Sequence, residues 1–182
     1  MRKISIIFLL TVIAFMTSCG VISVIPRATN TVKPVTLNEL NLSNSDYSVL
    51  NTISEYAVVS VTYYPNKKIE VRDAENTFAY VLTPIGKKKS GYIVKKHEGV
   101  IRAGYLSNDY GEIDMKDPEN VARRVAIYRL INTSQALGAD GLIEPVISTN
   151  IEGLPSLMGG VMTVTYRTTV SAKPIKLKVT GK

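Results

Sequence analysis

The chain has 182 residues, with 22 Lys+Arg against 15 Asp+Glu, and is 45% hydrophobic and 20% charged. That balance describes one ordinary globular domain with an appendage and excludes disordered and fibrous classes. A single Cys, Cys19, excludes an internal disulfide framework and a Cys-rich zinc site. A single His, His97, excludes a multi-His metal centre and leaves little room for histidine-based catalysis.

Residues 1–20 read MRKISIIFLLTVIAFMTSCG. Arg2 and Lys3 form a positive head, Ile4 to Met16 is an apolar run, and Thr17 and Ser18 are small. This is the three-part pattern of a secretory signal peptide, too short and wrongly flanked for a membrane-spanning helix. Met16-Thr17-Ser18-Cys19 resembles the lipobox of bacterial lipoproteins, with Met where Leu is usual. The resemblance implies cleavage before Cys19, a diacylglyceryl group on its thiol and an acyl chain such as palmitate on the new amine. Several acyl chains anchor a protein stably, whereas one binds only marginally. The other reading is a cleaved soluble signal that leaves a free thiol, a liability in an oxidising compartment. Gly20 rather than Asp follows Cys19, and no acidic cluster comes after it. By resemblance to lipoprotein sorting, the destination is the periplasmic leaflet of the outer membrane. Losing residues 1–18 leaves 20 basic against 15 acidic residues. That surplus suits a solvated surface, or contact with anionic lipid or an acidic partner.

The expected organisation is therefore a signal over 1–18, a lipidated N-terminus and tether over 19–40, and one domain over 41–182. Pro26, Pro34 and several Thr and Asn mark the tether. A short strand is expected between Tyr47 and Ile53. Tyr56 to Tyr64 is dense in β-branched and aromatic residues and ends at Pro65-Asn66. Its alternation buries Ala57, Val59, Val61 and Tyr63. Residues 69–106 mix charge with apolar residues. Thr83 to Gly86 reads as a turn, and strands are expected at Tyr92 to Val94 and Gly99 to Leu106 around a polar turn near His97. Asp117-Pro118 is a helix start, because Asp caps well and Pro at the first position loses no hydrogen bond. The helix runs to about Leu137. Val121, Val125, Tyr128, Ile127, Leu130, Ile131, Ser134 and Leu137 make its apolar face, Arg123 and Arg124 lie on its polar side, and Gly138 ends it. Leu142 to Thr149 reads as a strand whose Pro145 makes it an edge or a bulge. Ile151 to Gly160 is a Gly/Pro loop, and Val161 to Ala172 is a long alternating strand broken by Pro174. The fold class is α+β: a mainly antiparallel sheet, one principal helix (about 118–137) packed on it, and a β-rich insertion at about 66–116.

The helix-to-strand junction Ala136-Leu137-Gly138-Ala139-Asp140-Gly141-Leu142-Ile143 is similar to that of the YbjQ-like heavy-metal-binding domains and related envelope lipoproteins. The run Glu55 to Tyr64 stands in the place of that family's first strand. Physically the junction is structural: Gly138 supplies a left-handed cap, and Leu142-Ile143 begin a buried strand. The resemblance implies either a lipoprotein of envelope sensing or a ring oligomer that binds a metal or small ligand. The sensor relatives rely on cysteine pairs, and this chain has none.

Asp109, Glu112, Asp114, Asp117 and Glu119 form an acidic stretch without calcium-loop spacing. No nucleophile–base set and no GxSxG, HExxH or P-loop motif is present, so no catalytic residue, metal ligand or cofactor is nominated. Lys67, Lys68, Lys87, Lys88, Lys89, Lys95 and Lys96 form basic clusters interleaved with tyrosines. They are a candidate partner-binding patch or solvated hairpin tips that discourage edge pairing. Export excludes nucleic acid as the partner. The expectation is a non-enzymatic envelope lipoprotein that is held to the membrane by acyl chains on Cys19 and contacts a protein or lipid. A self-assembling ring is the alternative.

Overall fold

The computed structural model describes residues 27–32, 43, 45–86, 91–106 and 113–178, with backbone alone for 27–32. Among them the chain is mostly antiparallel sheet with a single helix. Cys19, the signal region and Lys87 to Lys89 lie outside the described residues, as do Asp109 and Glu112.

The strands are β1 (Arg27–Val32), β2 (Tyr47–Val49), β3 (Ile53–Tyr63), β4 (Ile69–Asp73), β5 (Phe78–Ile85), β6 (Gly91–Gly99), β7 (Ile101–Leu106), β8 (Gly141–Ile151), β9 (Ser156–Met158) and β10 (Val161–Leu177). The helix, α1, spans Pro118–Ala136. β10 is the spine of the main sheet. One of its sides pairs with β2 and β3, and the other with β8 and β9. From β3 the sheet continues through β4 and β5 to β6. β1, inside the stretch read as a tether, runs parallel to β7 with Arg27 opposite Ile101 and Val32 opposite Leu106.

The alternation in β3 holds. Ala57, Val59 and Val61 are buried, and their β10 neighbours Thr168, Tyr166 and Val164 share the same face. Asp117 caps α1, its carboxylate accepting from the N–H groups of Glu119 and Asn120 at 3.1 and 3.2 Å. Gly138 follows the helix at φ 67°, the left-handed turn that glycine supplies most cheaply.

Several expectations change. β5 runs through Thr83, Pro84 and Ile85, which pair with Ile93, Tyr92 and Gly91, so only Gly86 remains of the expected turn. β9 lies within the expected 151–160 loop. The helix does not lie with one face on a sheet and the other in water. β7 packs on it from the side away from β3 and β10, so buried residues run around its circumference: Val121, Ala122, Arg124, Val125, Ala126, Ile127, Leu130 and Ile131. Arg124, expected on the polar side, is only 3% exposed and lies over the Tyr105 ring at 4.3 Å. Leu137, expected on the apolar face, is exposed because the helix ends before it.

The chain also does not turn at His97. β6 runs through it, with His97 opposite Tyr80, and the break comes at Gly99, whose φ is 70°. β5 and β6 slip by one residue between Val81 and Leu82, which leaves Lys95 as the extra residue of a bulge.

Pro174 does not end β10. A strand residue sends its N–H and C=O to the same side, and the Pro174 carbonyl accepts from Leu50 N–H at 2.8 Å. The missing donor therefore falls in the gap between β2 and β3, where no ladder bond is lost. Pro145 sits in a bulge as expected. The register shifts between Ser171 and Lys173, and Glu144 takes φ 53°.

Candidate interaction surface

The sheet has two ends. At one, Ile69, Leu82, Tyr63 and Met162 stand in register across β4, β5, β3 and β10. At the other lie Asp73, Thr77, Phe78 and the β6–β7 break. A Cβ on Gly99 would sit 2.0 Å from the Thr77 carbonyl oxygen. Ile101 starts beside that break and pairs with Arg27, so the first residue of β1 lies at this second end.

The first end carries an apolar projection. Gly159 and Gly160 take φ 57° and 77°, as a two-residue primed hairpin turn between β9 and β10 requires. β8 and β9 form one interrupted outer strand along β10, with residues 152–155 bulging between them. No charged residue lies between Glu152 and Arg167. Leu154, Leu157 and Met158 are 94%, 71% and 77% exposed, and Ile151 and Met162 are exposed beside them. Large apolar side chains contiguous on a surface mark contact sites. A Cβ on Gly160 would lie 3.3 Å from Pro65 Cγ, so this projection sits beside the β3–β4 turn that carries Lys67 and Lys68.

The described lysines alternate with carboxylates. Lys68 lies 3.6 Å from Glu70 and over the Tyr64 ring at 3.9 Å. Lys96 pairs with Glu98 at 2.8 Å, an exposed contact that raises the amine and lowers the carboxyl. By register, Glu70, Val81 and Lys96 form one row across β4, β5 and β6, and Arg72, Ala79 and Glu98 the next. A shallow groove floored by Ala79 and Val81 runs between these mixed charges. Lys67 is exposed in the turn at φ 65°.

A second polar cluster ties the helix to the sheet toward the Arg27 end. β4 parts from β3 after Asp73, leaving β3 carbonyls without a strand neighbour. Ala74 N–H donates to the Val58 carbonyl, and Arg129 Nη1 to the Tyr56 carbonyl at 2.8 Å. The same guanidinium meets Glu75 at 2.7 Å and both oxygens of the fully buried Asp73 at 3.3 and 3.4 Å. Asp73 also accepts from the Thr77 hydroxyl at 2.7 Å. Clefts open on both sides of Arg129, but its donors are committed to the fold. No spacing rule links residues 73 and 129, so the sequence could not have announced this contact.

Burial raises Tyr80, whose hydroxyl donates to the Met115 carbonyl at 2.9 Å. Burial, with Tyr166 beside it, pushes Tyr63 up to about 12 from an ordinary 10.0. A raised tyrosine binds its proton more tightly folded than unfolded. Its contribution to stability is complete below pH 10 and is lost as pH climbs from 10 through about 12. Phenolate absorbance should therefore show a late-titrating fraction that Tyr63→Phe reduces. If all ten tyrosines titrated together near pH 10 while the chain stayed folded, the packing around Tyr63 would be wrong.

Among the described residues, no three of His, Cys, Asp and Glu converge to hold a metal ion, and no helix is long and apolar enough to cross a membrane. Asp114, Asp117 and Glu119 serve the helix start: Asp114 accepts from Lys116 N–H, and Asp117 is the cap. No family model, no curated protein and no solved structure matches this chain.

Proposed function

We propose that the chain is a non-enzymatic lipoprotein of the cell envelope, held by acyl chains on Cys19 in the periplasmic leaflet of the outer membrane. It presents a protein-binding surface away from that membrane. The observation that carries the reading is the opposition of the two ends. Arg27, the described residue nearest Cys19 in sequence, lies at one end, and the exposed Leu154, Leu157 and Met158 project from the other. Seven residues lie between Cys19 and Arg27, eight Cα-to-Cα steps with a reach of at most about 28 Å. A domain held that closely by one end offers its far end to the aqueous compartment. Apolar side chains there suit a protein partner better than the anchoring bilayer, and Lys67 and Lys68 at the rim suit an acidic border on that partner.

The junction from Ala136 to Ile143 supports placing the domain beside the YbjQ-like envelope lipoproteins. In that comparison β3, α1, β8 and β10 are the shared core and β4 to β7 an elaboration. Val71, Phe78, Tyr80, Leu82, Ile101 and Ala103 of that elaboration join the common hydrophobic core.

The test combines intact mass with fractionation of the full chain. The parent should sediment with membranes at the mass of residues 19–182 plus one diacylglyceryl group and one N-linked acyl chain. Cys19→Ala should be either released or retained as the heavier uncleaved precursor. A parent mass equal to the cleaved, unacylated chain would overturn the anchor. Crosslinking in intact envelopes should give a heteromeric product that is lost when Leu154, Leu157 and Met158 are changed to Asp. Products indifferent to that change would overturn the surface.

A further inference from the structure

The two outer edges of the main sheet are built differently. An exposed edge strand is a template for another strand, and proteins blunt it with bulges and charge. β6 is blunted in this way by the Lys95 bulge, Lys96 and Glu98. β8 is not. Among the described residues it pairs only with β10, leaving its outer side open. From Val146 to Ile151 it keeps an unbroken register with β10 and carries no charge. The carboxylates that bracket this run are neutralised within the chain, Glu144 by Lys173 at 2.6 Å and Glu152 by Arg167 at 3.1 Å.

We infer that β8 pairs antiparallel with β8 of a second copy of this chain, giving a two-fold dimer with a continuous sheet. The sequence of the edge is self-complementary when Thr149 lies on the two-fold axis. Ile147 of one copy then faces Ile151 of the other on the helix side of the sheet, and Ser148 faces Asn150 on the opposite side. Apolar pairs directly across an antiparallel ladder stabilise it, and Ile151 gains the cover that it lacks in the single chain. The flanking irregularities also match. The bulge carrying the exposed Leu154 falls beside Pro145 of the other copy, so each copy's two bulges close the ends of the shared ladder. Because the contact is isologous, it uses up both open edges and stops at two chains. It leaves Leu157 and Met158 outside the ladder, and it does not depend on the lipid anchor.

Directly opposed residues in such a ladder have Cα atoms about 4.5–5.5 Å apart, within disulfide range. The experiment is oxidative crosslinking of full-length Thr149→Cys in whichever fraction holds the protein. The parent, with Cys19 alone, and Arg123→Cys on the exposed helix face serve as references. Thr149→Cys should give a disulfide dimer in most of the chain, roughly tenfold above the Arg123→Cys level. Adding Ser148→Lys and Asn150→Lys, which set like charges directly across the ladder, should remove that dimer while leaving the thermal transition within a few degrees. No excess over Arg123→Cys would overturn the pairing. So would a dimer that survives the two lysines in a folded chain, or a product with a different polypeptide. A parent dimer through Cys19 would report an unacylated thiol and bears on the anchor alone.

Discussion

Gly104→Ala should destabilise the domain by about 3 kcal/mol or more, the upper range for overpacking a close-packed site. Gly104 lies in β7 where the strand crosses the helix. A Cβ there would fall 2.4 Å from Tyr128 N and 2.7 Å from the Ile127 carbonyl carbon. These are backbone atoms of α1, so no rotamer change relieves the clash, and β7 must move off the helix. The movement would open the contact between Ile101, Ala103 and the helix that closes the core on its far side. Urea unfolding should show a lower midpoint with an unchanged slope, and the thermal midpoint should fall by roughly 6–12 °C. A loss below about 1 kcal/mol, the ordinary effect of a core substitution, would mean that β7 does not touch the helix this closely.

Arg129→Leu should cost about 3 kcal/mol, because breaking a buried ion pair strands the remaining charge. Asp73 is fully buried and would keep only the donors of Thr77. The Tyr56 carbonyl, on the part of β3 that β4 leaves uncovered, would lose its donor as well. The signature is non-additivity. Asp73→Asn removes the charge while keeping an oxygen for Thr77, so adding it to Arg129→Leu should recover stability. Contacting residues in one network couple by about 0.5–3 kcal/mol. Additive single effects in denaturant melts would show that the guanidinium and carboxylate do not act as a unit.

The parts of the fold that can be read from the chain are those that local chemistry decides. β3 alternates β-branched and polar residues, and Asp117-Pro118 and Gly138 bracket the helix with side-chain chemistry complete within a few residues. The misread parts depend on what lies across space. Apolar spacing on α1 reveals the face turned to β3 and β10. Nothing in residues 118–136 tells that β7 will cover the other face and draw Arg124 inside. His97 lies among Lys95, Lys96 and Glu98, a composition shared by turns and by solvent-facing edge strands. Only pairing with β5 separates the two. Pro174 breaks a strand that needs its N–H and passes unnoticed where the neighbouring strands leave a gap.

The interaction surface shows the same division. Gly153, Pro155, Gly159 and Gly160 make residues 151–160 read as a loop, and they do form its turns. Whether Leu154, Leu157 and Met158 are covered depends on which strand ends at that corner of the sheet, and none does among the described residues. The lysines give the opposite lesson. Counted along the chain they form a basic patch, but register sets Glu70 and Glu98 among them and dilutes the field.

The placement of β10 at the centre of the sheet has a consequence for how the protein is made. Thr62 and Thr163 touch across 101 residues, and Ser48 reaches Lys176 across 128. Synthesis and any translocation proceed from the other terminus, so β3 must wait for almost the whole chain before its main neighbour emerges. Until then it exposes Val59, Val61 and a bare ladder, the features that promote wrong association. Contacts this distant in sequence also slow folding toward milliseconds or seconds. Until its last strand arrives, the nascent chain therefore carries the kind of exposed apolar strand whose aggregation chaperones exist to prevent.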